Sequence, residues 1–151
     1  MSEALFIDTS IIMYAVGAEH PYRQPCQRSL TKIVNEKVYA LVSSEIHQEI
    51  LHRYLSLGLP DKARQVSVKL ETLIPVTLAV TLADIHQSRT LIEAYPKLQS
   101  RDLIHVAVML NHGISRILST DVHFDQVREI ERIDPQTFSD EVLTALPGSQ
   151  S

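Results

Sequence analysis

Cysteines, long apolar runs and an excess of basic residues are all missing or scarce in this sequence. Among its 151 residues there is one cysteine, Cys26, so no internal disulfide can form. No cysteine or histidine pairs have zinc-finger spacing, and we expect Cys26 to be a small buried thiol. The first seventeen residues are apolar, but Glu3 and Asp8 interrupt them, they lack a basic start, and they are too short to span a bilayer. These absences predict a soluble cytoplasmic protein without a membrane segment.

The net charge of −4 argues at first against a nucleic-acid partner, because phosphate binding generally uses a basic face. However, if four of the 18 acidic residues are gathered in one site, the remaining 14 balance the 14 lysines and arginines. A divalent cation bound at that site would offset the charge of the cluster. Net charge therefore does not exclude an RNA or DNA partner.

The pattern of apolar segments indicates one compact domain with alternating strands and helices. A content of 44% hydrophobic residues over this length suits a single core, and there is no internal repeat, low-complexity tract or linker. Strands are predicted at ALFI (4–7), VYALV (38–42), PVT (75–77), ISRILST (114–120) and EIERID (129–134). Such alternation predicts an α/β fold with a parallel sheet covered on both faces. Ligands of such sheets bind beyond the carboxyl ends of the strands.

Helices are predicted between these strands, and several of them have start and stop signals. The first, TSIIMYAVG, is expected to begin with a hydroxyl cap, and the second has Pro25 in its first turn. Gly58 and Pro60 separate two further helices, and Gly113 ends another. After TSIIMYAVG, the predicted helices in chain order are HPYRQPCQRSLTKIVNEK, SSEIHQEILHRYLSLG, PDKARQVSVKLETLI, TLADIHQSRTLIEAY, SRDLIHVAVMLNHG and PQTFSDEVLTAL.

An aspartate closes the first predicted strand, in the stretch LFIDTS. Asp8 has two interpretations there: it caps the next helix, or it is a charged group kept at a binding site. Asp121 repeats the arrangement, because it follows the apolar run and hydroxyls of ISRILST, and Asp125 lies four residues later. A turn or a cap explains either acid alone. Together with an inward acid at a helix start, they favour a site at the carboxyl edge of the sheet.

Two further acids lie on predicted helices. Glu49 borders the apolar stripe of SSEIHQEILHRYLSLG and lies further inward than Glu45, although a solvated helix flank also accounts for it. Asp102 opens SRDLIHVAVMLNHG, which is apolar on almost every side and is therefore predicted to be buried. Ser100 would cap this helix, and the negative charge of Asp102 would interact with the helix dipole and stabilise the helix by about 0.3–1 kcal/mol. At this position the carboxylate also points beyond the start of the helix. Asp102 can therefore both interact with the helix dipole and belong to a site.

A cluster of acids needs a counter-charge, because like charges gathered together raise one another's pKa and destabilise the fold. We therefore expect a hard divalent cation, and an all-oxygen ligand set selects Mg²⁺ or Mn²⁺ over zinc. His105 lies three residues after Asp102 and could neighbour the site. The other histidines share no ligand spacing, so core or surface positions are the default interpretation for all seven.

Three stretches, LFIDTSIIMYA, SSEIHQEILHRY and SRDLIHVAVMLNHGISRILSTDVHFD, together resemble the PIN-domain family. Within it they are most similar to the VapC-type toxins of bacterial and archaeal toxin–antitoxin pairs. The resemblance spans about residues 4–134, and its most specific part runs from Asp102 through Gly113 to Asp121 and Phe124. It implies a PIN-like three-layer α/β/α fold with a central parallel sheet of four to five strands. Residues 1–151 would form a single PIN domain, with a core at about 4–134 and a C-terminal helix and frayed tail at 135–151.

The resemblance also implies roles for individual residues. The family's acidic set falls on Asp8, Glu49, Asp102 and Asp121. Metal ligands among these would be Asp8, Asp102 and Asp121. Hydroxyls that hold the site in family members fall on Thr9 or Ser10 and on Thr120, and an occasional further acid falls on Asp125. The implied activity is Mg²⁺- or Mn²⁺-dependent endoribonuclease cleavage of single-stranded or loop RNA, and the implied partners are an antitoxin that blocks the site and a second copy in a homodimer.

The chemistry of the residues supports this activity in kind. Carboxylates can hold one or two Mg²⁺ ions, which lower the pKa of a bound water, and a carboxylate without a metal can take its proton. Asp121 and Asp125 are both candidates for that last role. Arg53, Arg101 and Arg116 are candidate phosphate contacts near the mouth of the site, although plain solvation accounts for at least one of them.

Three alternatives make different demands on the sequence. A haloacid-dehalogenase-type phosphatase needs a second acid two residues after the strand-end aspartate, where this chain has Ser10. A receiver-type phosphoacceptor module needs a lysine late in the sheet, and no lysine follows Lys97. A non-catalytic PIN scaffold that binds RNA or protein is the alternative that is not an enzyme, and the intact acids argue against it.

Overall fold

A five-stranded parallel sheet forms the centre of the computed structural model, which describes residues 3–140. The strand order is β3-β2-β1-β4-β5, and every neighbouring pair is parallel. This confirms the predicted α/β fold. The expected number of strands was four to five, and the sheet has five. The strands are β1 (Leu5–Ile7), β2 (Ala40–Ser43), β3 (Thr77–Leu78), β4 (Arg116–Leu118) and β5 (Glu131–Ile133).

Helices connect the strands and cover both faces of the sheet. From β1 the chain moves outward through β2 to β3 and then returns past β1 to β4. Because such crossovers are right-handed, the first four helices lie on one face, and the next two lie on the other. None of the helices in the described range is long and apolar enough to cross a membrane. They are α1 (Thr9–Val16), α2 (Arg23–Asn35), α3 (Ser44–Ser56), α4 (Pro60–Leu73), α5 (Leu82–Leu91), α6 (Ser100–Asn111) and α7 (Pro135–Asp140), with a 3-10 helix at Val122–Gln126.

The core lies on both sides of β1 and against α6. Every residue of β1 is fully buried, as expected for the central strand of a sheet covered on both faces. Helix α6 buries Val106, Ala107, Val108 and Met109 completely, which confirms that this helix is enclosed. The start of α6 is therefore fixed beside the carboxyl edge of the sheet.

Strand register decides which predicted site residues can meet. Ile7 pairs with Leu118, so Asp8 and Ser119, the residues that follow, lie side by side at the carboxyl edge. Arg116 pairs instead with Leu5 at the start of the strands, and its guanidinium lies 3.4 Å from the Glu3 carboxylate. The prediction that Arg116 contacts phosphate near the site is therefore wrong, because a residue that begins a parallel strand points to the opposite edge.

The helix ends agree with the sequence signals more often than the helix starts do. Gly58 and Gly113 have φ angles of 72° and 67°, the left-handed conformation predicted for these stops, and Pro60 begins α4. The predicted hydroxyl cap of α1 is wrong, since Asp8 is the N-cap residue and Thr9 is already helical. Gln99, rather than Ser100, is the N-cap residue of α6. The predicted terminal helix is described up to Asp140, and the tail lies outside the described residues.

Cys26 is a buried, unreactive thiol. It lies in α2 among the core residues, and burial raises the pKa of its thiol to about 12. A thiol with so high a pKa is protonated at neutral pH and is a poor nucleophile. This confirms the prediction made for the single cysteine.

Candidate functional site

Asp8 occupies the N-cap position of α1, yet its carboxylate caps nothing. The residue is buried, with 7% of its surface exposed, and its Oδ2 accepts hydrogen bonds from Ser10 Oγ at 2.9 Å and Ser119 Oγ at 2.6 Å. Burial raises the pKa of Asp8, against the opposing effects of His105 and the two hydroxyls. A cap would gain from bonds to free helix N–H groups, so a buried carboxylate without them favours the interpretation of Asp8 as a site residue.

Ser119 holds Asp8 together with Ser10, whereas the resemblance placed the site hydroxyls on Thr9 or Ser10 and on Thr120. The Ser119 side chain is fully buried, and its Oγ also accepts a hydrogen bond from the Asp121 N–H at 3.0 Å. Thr120 contributes its backbone N–H to Ser10 Oγ at 3.2 Å. The spacing contained a signal for Ser119, because Asp8 and Ser10 are two residues apart, as are Ser119 and Asp121. Each strand end thus supplies one acid and one serine to the same network.

Glu49 points inward from α3 towards the same edge. Thr9 Oγ1 donates a hydrogen bond to Glu49 Oε1, and His105 Nε2 lies 3.0 Å from that oxygen. Arg101 Nε lies 3.9 Å from Oε2. Burial raises the pKa of Glu49, but the hydrogen bond and charge of His105, with Thr9 and Arg101, outweigh it and lower the pKa below its usual value. Glu49 is therefore an ionised anchor between α1, α3 and α6.

Glu45, one helical turn earlier, has a different environment. Its pKa is raised by burial and by the charge of Glu49, and its carboxylate forms no hydrogen bond with the residues between 3 and 140. The structure thus places Glu49, and not Glu45, in the network with Thr9 and His105.

His105 is a site residue that the default interpretation of the histidines missed. It is 1% exposed, and its ring packs 5.6 Å from the ring of Phe6. Burial alone would lower its pKa, but the bond to Glu49 and the charges of Glu49, Asp8 and Asp102 raise it above the usual value. The sequence signal was its position three residues after Asp102 on a helix that is buried almost all round. His105 positions Glu49 and partly balances the acids.

Asp102 and Asp121 complete the acidic edge. Asp102 Oδ2 accepts a hydrogen bond from the Gln99 N–H at 3.2 Å, and its pKa is raised by burial and by the charges of Asp121 and Asp8. Asp121 Oδ1 accepts from the His123 N–H at 2.9 Å and lies 2.7 Å from His123 Nδ1. The carboxylate of Asp102 is therefore close enough to those of Asp8 and Asp121 to be repelled by both.

The donor chemistry of these acids fits a hard divalent cation. One oxygen of each carboxylate accepts no hydrogen bond within residues 3–140: Oδ1 of Asp8, Oδ1 of Asp102 and Oδ2 of Asp121. In this range no three acid, histidine or cysteine side chains are already arranged as a metal site. Burial is nevertheless the largest cause of the raised pKa of Asp8 and of Asp102, and the charge of His105 offsets it only in part. All-oxygen donors with unbalanced negative charge are typical of Mg²⁺ and Mn²⁺ sites.

Asp125 faces away from this cluster and binds Arg132. Arg132 Nε lies 2.9 Å from Asp125 Oδ1, and its Nη1 donates to the Ser119 carbonyl at 2.9 Å and to Asp134 Oδ2 at 3.4 Å. The arginine, whose side chain is 13% exposed, thus ties the segment after β4 to β5. Sequence reasoning missed it because the spacing of its partners follows no helix or strand period.

We expect Arg132→Met to lower stability, because it breaks hydrogen bonds that charge strengthens and leaves Asp134 without this partner. Loss of such bonds is worth about 1.5–3 kcal/mol. Denaturant unfolding measures the change, and Arg128→Met is the matched control, since Arg128 is exposed and has no side-chain partner in the described range. Equal stabilities of the two variants would contradict the role of Arg132 as a tie.

Arg53 and Arg101 lie where the sequence predicted them. Both line a groove that also includes Thr9, Ser10 and Glu49, so two of the three predicted phosphate contacts border the acidic edge. Both guanidinium groups are accessible from the groove, with 45% of the Arg101 side chain exposed. The site thus combines a negative floor with a positive rim.

The fold and the site define a class: an α/β domain whose acids converge at the carboxyl edge of a parallel sheet. Residues 5–130 match the model of the PIN domain family. The chain belongs to the PIN domain family, which confirms the resemblance inferred from the sequence.

Relatives support this assignment over most of the chain. The chain is 30% identical over 129 residues to a protein named VapC ribonuclease Mb1869c from Mycobacterium bovis, with 85% of this chain and 98% of the relative covered. It is 32% identical over 117 residues to Ribonuclease VapC23 from Mycobacterium tuberculosis, with 78% and 92% covered.

Solved structures show the same fold. VapC20 of Mycobacterium tuberculosis, described as a toxin that cleaves the sarcin-ricin loop, has a TM-score of 0.69 at 17% identity, covering 84% of this chain and 97% of that one. VapBC2 of Rickettsia felis, solved with a fragment of promoter DNA, has a TM-score of 0.70 at 10% identity, covering 87% and 98%. At these identities the likeness establishes the architecture alone.

Proposed function

We propose that this protein is an Mg²⁺- or Mn²⁺-dependent endoribonuclease that cleaves single-stranded or loop RNA, and that it is the toxin of a toxin–antitoxin pair. One observation carries the proposal: Asp102 interacts electrostatically with both the buried Asp8 and Asp121, and each of the three carboxylates has one oxygen that accepts no hydrogen bond within residues 3–140. The names of the relatives, which are ribonucleases of the VapC type, point to the same chemistry.

The metal would be held by Asp8, Asp102 and Asp121. Ser10 and Ser119 fix the orientation of Asp8 by bonding its Oδ2, which leaves Oδ1 for the ligand role. The Gln99 N–H fixes Asp102 in the same way through Oδ2. A bound divalent ion supplies a water of lowered pKa and stabilises the negative charge that develops on the phosphate.

The other residues have supporting roles. Glu49, ionised and held by Thr9 and His105, orients the site from α3. Asp125 is a poor candidate to accept a proton, because both of its oxygens bond Arg132. Arg53 and Arg101 bind phosphates on either side of the scissile one, as guanidinium groups at a groove rim commonly do.

An antitoxin and a second copy of the chain are the partners that we propose. The solved neighbours include a toxin–antitoxin complex from Klebsiella pneumoniae and a DNA-bound VapBC from Salmonella typhimurium. We expect the antitoxin to bind over the acidic edge and prevent RNA from entering.

Cleavage of a structured RNA pool by the purified protein tests the proposed function. In Mg²⁺ the wild type should cut at unpaired positions, and Asp102→Asn should reduce the rate by about 10²–10³-fold, the scale for loss of one electrostatic group of an active site. Binding of the same RNA is measured in parallel by fluorescence anisotropy. If the wild type binds RNA but cleaves none with Mg²⁺ or Mn²⁺, the alternative of a non-catalytic PIN scaffold replaces the proposal.

A further inference from the structure

Three aromatic rings lie beside the acidic site, at the end of α1 and in the loop that follows it. The ring centroids of Tyr14 and His20 are 4.5 Å apart, and those of Tyr14 and Tyr22 are 5.4 Å apart. The rings of His20 and Tyr22 are stacked, with centroids 5.9 Å apart and planes inclined by 12°. None of these residues has a role in the acidic network described above.

His20 is exposed, yet its ring is fixed. The Tyr22 N–H donates a hydrogen bond to His20 Nδ1 at 3.0 Å, and the Tyr14 ring supports the imidazole from one side. Tyr22 is itself tied down, because its hydroxyl donates to Asp134 Oδ2 at 2.9 Å. An aromatic ring held in one orientation at the surface has already lost the rotamer freedom that ligand binding would otherwise cost.

Two of the rings share a groove with residues of the acidic network. Tyr14 and His20 line it together with Ser10, Glu49 and the two arginines, Arg53 and Arg101. Glu19 also lines the groove, but its carboxylate lies 3.2 Å from Arg23 Nη1, which offsets its charge. The lining of the groove therefore includes both cationic groups and flat aromatic groups. This is the combination that binds single strands, since cations take the phosphates and rings take the bases.

We propose that the Tyr14–His20 ring pair stacks one unpaired base of the RNA next to the phosphate at the acidic edge. The proposal rests on the proposed function and adds to it which side chains contact a base of the RNA. Stacking on an aromatic face tolerates any base, because every base has a π-face. A base inside a duplex is already stacked on its neighbours, so the ring pair selects for single-stranded or loop nucleotides.

Steady-state kinetics on a short single-stranded RNA test the ring pair. His20→Ala should raise KM by about 5–10-fold with kcat unchanged, on the scale found when a stacking side chain is truncated. His20→Phe keeps a flat ring and should restore the wild-type KM. The control is His86→Ala, an exposed histidine on α5, on the opposite face of the sheet, and it should leave both constants unchanged. An unchanged KM in His20→Ala, or a His20→Phe variant as impaired as His20→Ala, would overturn the proposal.

Abasic RNA separates contact with a base from contact with a phosphate. A series of oligonucleotides, each lacking one base, is bound to Asp102→Asn protein so that no cleavage interferes. One abasic position should weaken binding by about 5–10-fold, and that same position should have no effect when His20→Ala is added. If abasic positions weaken both proteins equally, stacking on His20 is refuted. This binding readout holds even if the wild type cleaves no RNA, so failure of the ring pair and failure of the proposed function are distinguishable.

Discussion

Asp8→Asn is expected to abolish RNA cleavage and, in chelator, to leave the protein at least as heat-stable as the wild type. Cleavage falls because asparagine supplies no negative charge to a divalent ion. Stability does not fall, because the amide oxygen of asparagine can still accept from Ser10 and Ser119, while the buried charge of Asp8 disappears. Single changes that relieve strain at functional sites stabilise proteins by about 0.5–2 kcal/mol.

The size of this difference in stability between Asp8→Asn and the wild type depends on pH. Because burial raises the pKa of Asp8, the folded protein keeps the proton to a higher pH than the unfolded chain does. The stability contributed by protonated Asp8 is complete below the ordinary value of 3.8 and is lost as the pH rises through the folded-state pKa. The advantage of Asp8→Asn should therefore be present at neutral pH and shrink towards pH 4.

Melting curves recorded in chelator measure the stability of the metal-free proteins, and curves recorded in Mg²⁺ measure how much the ion stabilises each of them. Added Mg²⁺ should raise the melting temperature of the wild type and leave that of Asp8→Asn nearly unchanged, because an ion stabilises only the protein that retains its ligands. Asp61→Asn, an exposed acid on α4, is the control and should behave as the wild type does. A sharp loss of stability of Asp8→Asn in chelator would mean that Asp8 is a structural residue.

The second large effect is the contrast between Glu49→Gln and Glu45→Gln. Glu49→Gln should reduce cleavage by about 10²-fold or more, because it removes the charge that holds His105 and Thr9 in place, whereas Glu45→Gln should retain most of the activity. The stabilities should also separate. Loss of a charged hydrogen bond costs about 1.5–3 kcal/mol in Glu49→Gln. Glu45→Gln should be neutral or slightly stabilising, since the pKa of Glu45 is raised by burial and by Glu49.

Rates are compared at a temperature where melting curves show both variants to be folded. Toxicity on expression without an antitoxin should follow the same order as cleavage in vitro. If Glu45→Gln loses activity and Glu49→Gln does not, the helix contributes Glu45 to the site, and the inward position of Glu49 is structural.

The main elements of the fold and the acids were predictable because each had a local signal. Short segments rich in apolar residues marked the strands, and the helix pattern of α6 predicted its burial before its neighbours were known. Asp8 and Asp121 were found because each directly follows a predicted strand, and parallel strands bring their carboxyl ends to one edge.

Partners that are distant in the chain were not predictable. Ser119 was passed over for its neighbour Thr120, since strand register, and not proximity to the acid, decides which hydroxyl meets Asp8. Arg132 bonds residues 2, 7 and 13 positions away, which follow no periodic pattern. His105 meets Glu49 across 56 residues, so its spacing from Asp102 suggested a place near the site but not this partner. Arg116 was misplaced because closeness to Asp121 in sequence ignores that a strand carries its two ends to opposite edges of the sheet.

The dependence of cleavage on a divalent ion tests the central claim most directly. Purified wild-type protein is treated with excess EDTA, assayed on single-stranded RNA, and assayed again as Mg²⁺ or Mn²⁺ is titrated back, with Asp102→Asn prepared identically to reveal any contaminating nuclease. We expect no cleavage in EDTA, full recovery with either ion in the wild type, and no recovery in Asp102→Asn. Undiminished cleavage by the wild type in EDTA, absent from the Asp102→Asn preparation, would contradict a metal-dependent site at these acids.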